Sequence, residues 1–306
     1  PPLVRGPLSV MKLLSYSHQG RARWGALVDE RIVDLQAASQ GRCPTLRSAL
    51  AQLDLPAIEA LARSAVPGVA LGEVTLLPVV PDAPRIFCIG LNYEEHRVEA
   101  RREKTGQPTV FLRVASSQVG HGQPIVLPRE STCLDYEGEI AIVIGRGGRR
   151  IREQDAWAHV AGYAPYNDAS VRDWQAHTTQ WTPGKNFPAT GGFGPWMVTR
   201  SEIADGQELG LATRLNGEVV QQATTAQLIF PMPTLIAYIS TFTALEPGDV
   251  IVTGTPGGVG FKRQPPLYLR AGDVVEIEVE GVGILSNAVQ ALSLIHISEP
   301  TRQAEI

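Results

Sequence analysis

The run Leu134-Asp135-Tyr136-Glu137-Gly138-Glu139-Ile140-Ala141-Ile142-Val143-Ile144-Gly145 constrains this chain more than any other segment. Its second half is apolar and β-branched, so the pattern predicts a strand. Side chains two apart on a strand share a face. Glu137 and Glu139 therefore aim two carboxylates at one spot, roughly 6–7 Å apart by the rise per residue. Like charges that close raise each other's pKa unless a cation lies between them. A solvated strand face would satisfy the pair. A hard divalent metal, which takes oxygen ligands, would satisfy it too.

Other candidates accompany the pair. Asp168, in Tyr166-Asn167-Asp168-Ala169-Ser170, ends a strand-like segment where a helix can begin. It is either an N-cap or a third carboxylate for the same cation. Upstream, His96 and Glu99 are three apart and share a face if that segment is helical. A carboxylate beside an imidazole fixes its tautomer and makes it a better base; an ordinary charged surface helix is the other reading. The loop Thr253-Gly254-Thr255-Pro256-Gly257-Gly258-Val259-Gly260 lacks the Gly-Lys-Ser/Thr of a P-loop. It is a tight turn or a nest of amides which, with Thr255, holds a substrate carboxylate.

In order and spacing these pieces resemble the fumarylacetoacetate hydrolase family. The resemblance runs from about Met11 to about Gln290. It is carried by Ile89-Gly90-Leu91-Asn92-Tyr93 with His96 and Glu99, Phe111-Leu112-Arg113, Leu134 to Glu139, Asn167-Asp168, Gly184-Lys185-Asn186-Phe187, Gly194-Pro195-Trp196, and Gly248 to Pro256. It implies an α+β fold: a mixed β-sandwich roll with peripheral helices and a small N-terminal domain. It implies Mg²⁺ or Mn²⁺ on Glu137, Glu139 and Asp168, a His96–Glu99 pair on a mobile lid spanning Gly90 to Gly106, and an active-site Lys185. Arg113, Arg172, Gln175 and Thr255 are the expected substrate contacts. Many relatives carry Lys-Pro-Pro or Lys-Pro-Ser after the Phe-Leu, where this chain has Arg113-Val114-Ala115. That departure bears on substrate identity.

The implied chemistry is metal-dependent. With the metal as electron sink for an enolate, His96 would activate water to cleave a C–C bond in a 2,4-dioxo acid such as an acylpyruvate or fumarylpyruvate. The alternative is decarboxylation or isomerisation of a 2-oxo dicarboxylic acid such as oxaloacetate. The partners expected are a small 2-oxo acid and a second copy of the chain as a homodimer.

The chain has 306 residues, of which 43% are hydrophobic and 19% charged, as in an ordinary globular protein. A net charge of −4 gives no sign of a nucleic-acid partner. The cluster Arg146, Arg149, Arg150 and Arg152 reads as a solvated turn. Cys43, Cys88 and Cys133 are widely spaced, which suits a reducing cytoplasm. No apolar run approaches the roughly 18 residues of a membrane span. Residues 11–79 are expected to form the small domain, with a hairpin at Trp24–Leu35 and helices near 45–53 and 57–64. A Pro-rich linker follows over 79–84, and the catalytic domain covers 80–291. Residues 1–10 are expected to be an extension outside the fold. Residues 292–306 resemble a translated sequencing adapter and are expected to be non-native.

Overall fold

The computed structural model describes residues 10–292, so the expectations about the two chain ends fall outside it apart from Val10 and Leu292. Among the described residues two main sheets form the body, one of 12 strands and one of five. Both are mixed. In the larger, Val250–Val252 runs parallel to Ile86–Gly90, and in the smaller, Gly283–Ala291 runs parallel to Ile125–Leu127. The helices Leu46–Gln52, Leu55–Ser64 and Met232–Phe242 lie at the periphery. Among the described residues no helix is long and apolar enough to cross a membrane.

The strand Gly138–Ile144 sits in the middle of the large sheet. Val160–Asn167 pairs with it antiparallel on one side and Val250–Val252 on the other. It is buried along its whole length, which is why its sequence is a nearly unbroken apolar run. Its two faces do different things. Ile140, Ile142 and Ile144 pack into one core with Ile277 and Leu285 of the small sheet. Ala141 and Val143 pack into a second core with Trp24, Leu46 and Ile58. Glu137 and Glu139 belong to this second face by parity. Gly138 takes the opposite face, where a Cβ would meet Thr213 Oγ1 at 1.9 Å. Only glycine lets the small sheet approach so closely. A slip of one residue would drive both carboxylates into that apolar contact.

The N-terminal segment extends this scaffold. Its hairpin Arg21–Val28 and Arg31–Asp34 forms where expected, with Asp29 and Glu30 at positive φ in a two-residue turn. The strand Lys12–His18, however, pairs with Met197–Thr199 of the large sheet. The stretch expected to be a linker is also buried, with Val79, Val80 and Ala83 inside the second core. Residues 11–79 therefore share the second core with the catalytic part, while Leu14, Tyr16, Leu27, Ile32 and Leu76 form a smaller cluster among themselves.

Candidate active site

The carboxylates are brought together by strand register. Gly138 pairs with Asn167, so Glu137 and Asp168 leave adjacent strand ends side by side. Asp168 N–H donates to Glu137 O at 2.8 Å, and Asn167 Oδ1 accepts Glu137 N–H at 3.0 Å. Oxygens of Glu137, Glu139 and Asp168 then lie within 4.8 Å of one another, all three side chains being buried. The N-cap alternative for Asp168 does not hold. The short helix Arg172–Gln175 is preceded by Val171 and has no side-chain cap.

Three buried cations surround the triad. Lys185 Nζ donates to Glu137 Oε2 and Asp168 Oδ2, each at 2.7 Å. Arg172 Nη1 lies 2.6 Å from Glu137 Oε1. Burial alone would raise the Glu137 pKa, but Lys185 and Arg172 outweigh it and hold the group down at about 2. Lys185 is raised: burial works against its ammonium, and Asp168 and Glu137 overcome that. Glu139 is pushed well above the usual carboxylate range by burial, then by Asp168 and Glu137. It accepts Gly254 N–H at 2.5 Å, and no cation pairs with it among the described residues. An all-oxygen set with one uncompensated carboxylate fits a hard divalent cation.

Arg113 departs from expectation. It was expected to contact substrate, but its side chain is fully buried behind Asp168. Nη1 donates to Asp168 Oδ1 at 2.7 Å and Ala169 O at 2.9 Å, and Nη2 to Thr190 Oγ1 at 2.8 Å. It compensates and orients a carboxylate, and it does not line the cleft. Arg172 and Gln175 do line it, and Nη1 of Arg172 donates to Gln175 Oε1 at 3.0 Å. Arg172 Nη2 lies 2.8 Å from Asp135 Oδ2 but is misaligned, so its N–H groups lack a hydrogen-bond acceptor.

The loop 253–260 is also used differently from the reading of it as a substrate nest. Its amides hold the protein's own carboxylates: Gly254 N–H serves Glu139, Gly258 N–H serves Glu99 at 3.3 Å, and Gly260 N–H serves Asp135 at 2.9 Å. Thr255 lines the cleft, but its hydroxyl donates to Gly138 O at 3.0 Å and accepts from Gln221 Nε2 at 2.9 Å. Gln221, which no sequence signal marked, also accepts Gly138 N–H at 2.9 Å.

His96 and Glu99 lie on the helix Glu94–Glu99, with His96 Nδ1 3.4 Å from Glu99 Oε2. His96 is buried and lines the same cleft as Glu137, Glu139 and Lys185. The helix is set off from the strand Ile86–Gly90 by Leu91 at positive φ. Asn92 pins the junction, donating to Phe230 O and Thr253 O and accepting from Phe230 N–H. The cleft has a volume of about 960 Å³. Residues 100–103 wall one part of it, and sequence reasoning missed Trp181, Phe261, Lys262 and Tyr268 in the rest.

Comparison with known proteins agrees with this geometry. The model of the fumarylacetoacetate (FAA) hydrolase C-terminal family matches residues 85–290. A Xenopus laevis protein named a mitochondrial oxaloacetate tautomerase is 44% identical over 219 residues, covering 71% of this chain and 69% of the relative. That name places the relative in mitochondria, whereas the cysteines here had pointed to a reducing cytoplasm. Fumarylacetoacetate hydrolase from Exiguobacterium antarcticum superposes with a TM-score of 0.79 at 34% identity, covering 92% of this chain and 100% of the other. Maleylpyruvate hydrolase from Sphingobium, solved with manganese(II) and pyruvate, gives a TM-score of 0.77 at 27% identity, with 92% and 100% coverage. Both the match across the sheet-forming region and the buried acidic triad lead to one statement: the chain belongs to the fumarylacetoacetate hydrolase family.

Proposed function

We propose that the protein is a divalent-metal-dependent enzyme that interconverts the enol and keto forms of a 2-oxo dicarboxylic acid of the oxaloacetate type. One observation carries the reading: proton-handling and cationic groups converge on one carboxylate. Lys185 bonds Glu137 directly, and His96 lines the same cleft as Glu137. Enol–keto conversion moves one proton from the enol oxygen to C3 and breaks no carbon–carbon bond. It needs a base–acid pair at carbon and fixed positive charge at oxygen.

The residues divide these tasks. His96, oriented by Glu99, delivers or takes the proton at C3 through its free ring nitrogen. Lys185 stays an ammonium because Asp168 and Glu137 outweigh its burial; it steadies negative charge on the 2-oxo oxygen and does not attack the carbonyl. Arg172 lines the cleft and offers its guanidinium charge to a substrate carboxylate. Lys262 lines the cleft with no ion-pair partner among the described residues and suits a second carboxylate. Glu137, Glu139 and Asp168 would hold Mg²⁺ or Mn²⁺. A bound ion of this kind supplies Lewis-acid charge to the 2-oxo acid oxygens. The relatives named oxaloacetate tautomerases support this choice over the hydrolytic one.

The test follows the loss of enol absorbance of oxaloacetate with Mg²⁺, with Mn²⁺, with chelator, and in His96→Ala. A rate equal to that of buffer alone with either metal sinks the proposal. A second reading, C–C hydrolysis of an acylpyruvate or fumarylpyruvate, is favoured by the maleylpyruvate hydrolase likeness. In that case His96 would activate water, and release of pyruvate together with a second carboxylic acid would identify it. The reading includes a homodimer, which sedimentation velocity would check.

A further inference from the structure

We infer that Asp135 is a positioning residue that ties the loop 258–261 to Arg172 and, through Arg172, to Glu137. It is fully buried and touches neither cleft nor triad. Its two oxygens serve different elements. Oδ1 accepts Gly260 N–H and Tyr136 N–H, each at 2.9 Å. Oδ2 accepts Phe261 N–H at 3.0 Å and Arg172 Nε at 2.8 Å. The loop comes down onto this carboxylate because residue 260 is glycine: a Cβ there would meet Leu267 O at 1.9 Å and Asp135 Oδ1 at 2.5 Å.

Each end of this arrangement reaches the chemistry. On one side, Gly258 N–H is held by Glu99, the partner of His96. On the other, Arg172 Nη1 bonds Glu137 Oε1, and the Phe261 ring lies 4.2 Å from the Arg172 guanidinium. The loop is thus fastened by two carboxylates, Glu99 from the helix that carries the base and Asp135 from the short strand Leu134–Asp135 that leads into the metal ligands. The contacts form a contiguous set of packed, hydrogen-bonded groups, a physical route by which two parts of a site can be coupled. Without Asp135, Arg172 would lose its second anchor and its aim into the cleft, and Phe261 would lose its backbone tether. The triad would keep its contacts to Lys185 and Arg113.

Asp135→Asn keeps the volume and one acceptor for Gly260 N–H, but its amide nitrogen cannot accept from Phe261 or Arg172. The kinetic part of the test rests on the proposed 2-oxo acid activity. KM for oxaloacetate should rise about tenfold or more, the loss expected for one charge-assisted hydrogen bond. The kcat and the calorimetric Mg²⁺ affinity should stay within about threefold, because Lys185 and Arg113 still hold Glu137 and Asp168. In an Arg172→Met background the same change should add nothing further to KM. Wild-type KM in Asp135→Asn, or strictly additive effects in the double variant, would overturn the inference. Hydrogen exchange gives a second measurement that needs neither activity nor the Asp135 variant. In Glu99→Ala, exchange at Gly260 and Phe261 should speed up about tenfold together with Gly258, because the loop opens as one unit. Acceleration confined to Gly258 would overturn the inference too. Coupled exchange in a protein that turns over no 2-oxo acid would sink the proposed function and leave this inference standing.

Discussion

Replacing Glu139 by Gln should make the metal-free protein more stable. Glu139 shares a buried site with Glu137 and Asp168 at no more than 4.8 Å between oxygens. At that distance one carboxylate pair repels by about 3.5 kcal/mol with an effective dielectric constant of about 20. Lys185, Arg172 and Arg113 pair with Glu137 and Asp168 and offset much of that field, but none pairs with Glu139. A net gain of about 1–3 kcal/mol remains for the neutral amide, whose oxygen still accepts Gly254 N–H. At roughly 2–4 °C per kcal/mol, Tm should rise by about 2–12 °C at neutral pH in chelator. The pH dependence follows from the direction of the shift. A carboxyl raised in the fold contributes its stability fully below the unfolded value of about 4.3 and loses it as pH rises through the folded value. Glu137 acts in the opposite sense: its contribution is present above about 4.3 and fades as pH falls toward about 2. The advantage of Glu139→Gln should therefore shrink as pH approaches 4.5. Mg²⁺ at 100 times Kd should stabilise the wild type by about 2.7 kcal/mol and the variant hardly at all. Differential scanning fluorimetry across pH, with and without Mg²⁺, reads all of this. An unchanged or lower Tm for the metal-free variant at pH 7.5 would refute the reasoning.

Arg113→Met should destabilise the protein by about 3–5 kcal/mol in urea denaturation, because it strands the buried Asp168 carboxylate; a loss below about 1 kcal/mol would contradict the role assigned to Arg113. His96→Ala and Glu99→Ala should cost similar activity, and the double variant little more, since the two act as a unit. Strictly additive losses would argue against a dyad. Lys262→Met should raise KM for oxaloacetate by about tenfold while leaving a 2-oxo monocarboxylate unaffected, the difference expected from one lost ion contact. Equal effects on both substrates would remove Lys262 from the second-carboxylate role.

Local periodicity made much of the site legible. Alternation along 134–145 put Glu137 and Glu139 on one face, and a three-residue spacing put His96 beside Glu99. What the pattern could not show was which distant group each face would meet. The amides of loop 253–260 advertised an anion site, but their acceptors lie more than 100 residues away on other elements. The family resemblance implied that Arg113 contacts substrate, but its direction depends on how the strand Thr109–Arg113 ends against Asp168. The N-terminal hairpin was legible, but its fusion to the large sheet rests on Lys12 and Leu13 meeting Val198 and Met197, for which no local signal exists. Charge pairing closes the gap between pattern and chemistry. Four buried acids, Asp135, Glu137, Glu139 and Asp168, stand among three buried cations, Arg113, Arg172 and Lys185. Every acid but Glu139 has a cation in contact. A charge left uncompensated in the interior is costly enough that the group takes up a proton or an external cation. The place where the sheet leaves one carboxylate alone is therefore the place where a divalent ion gains most by binding.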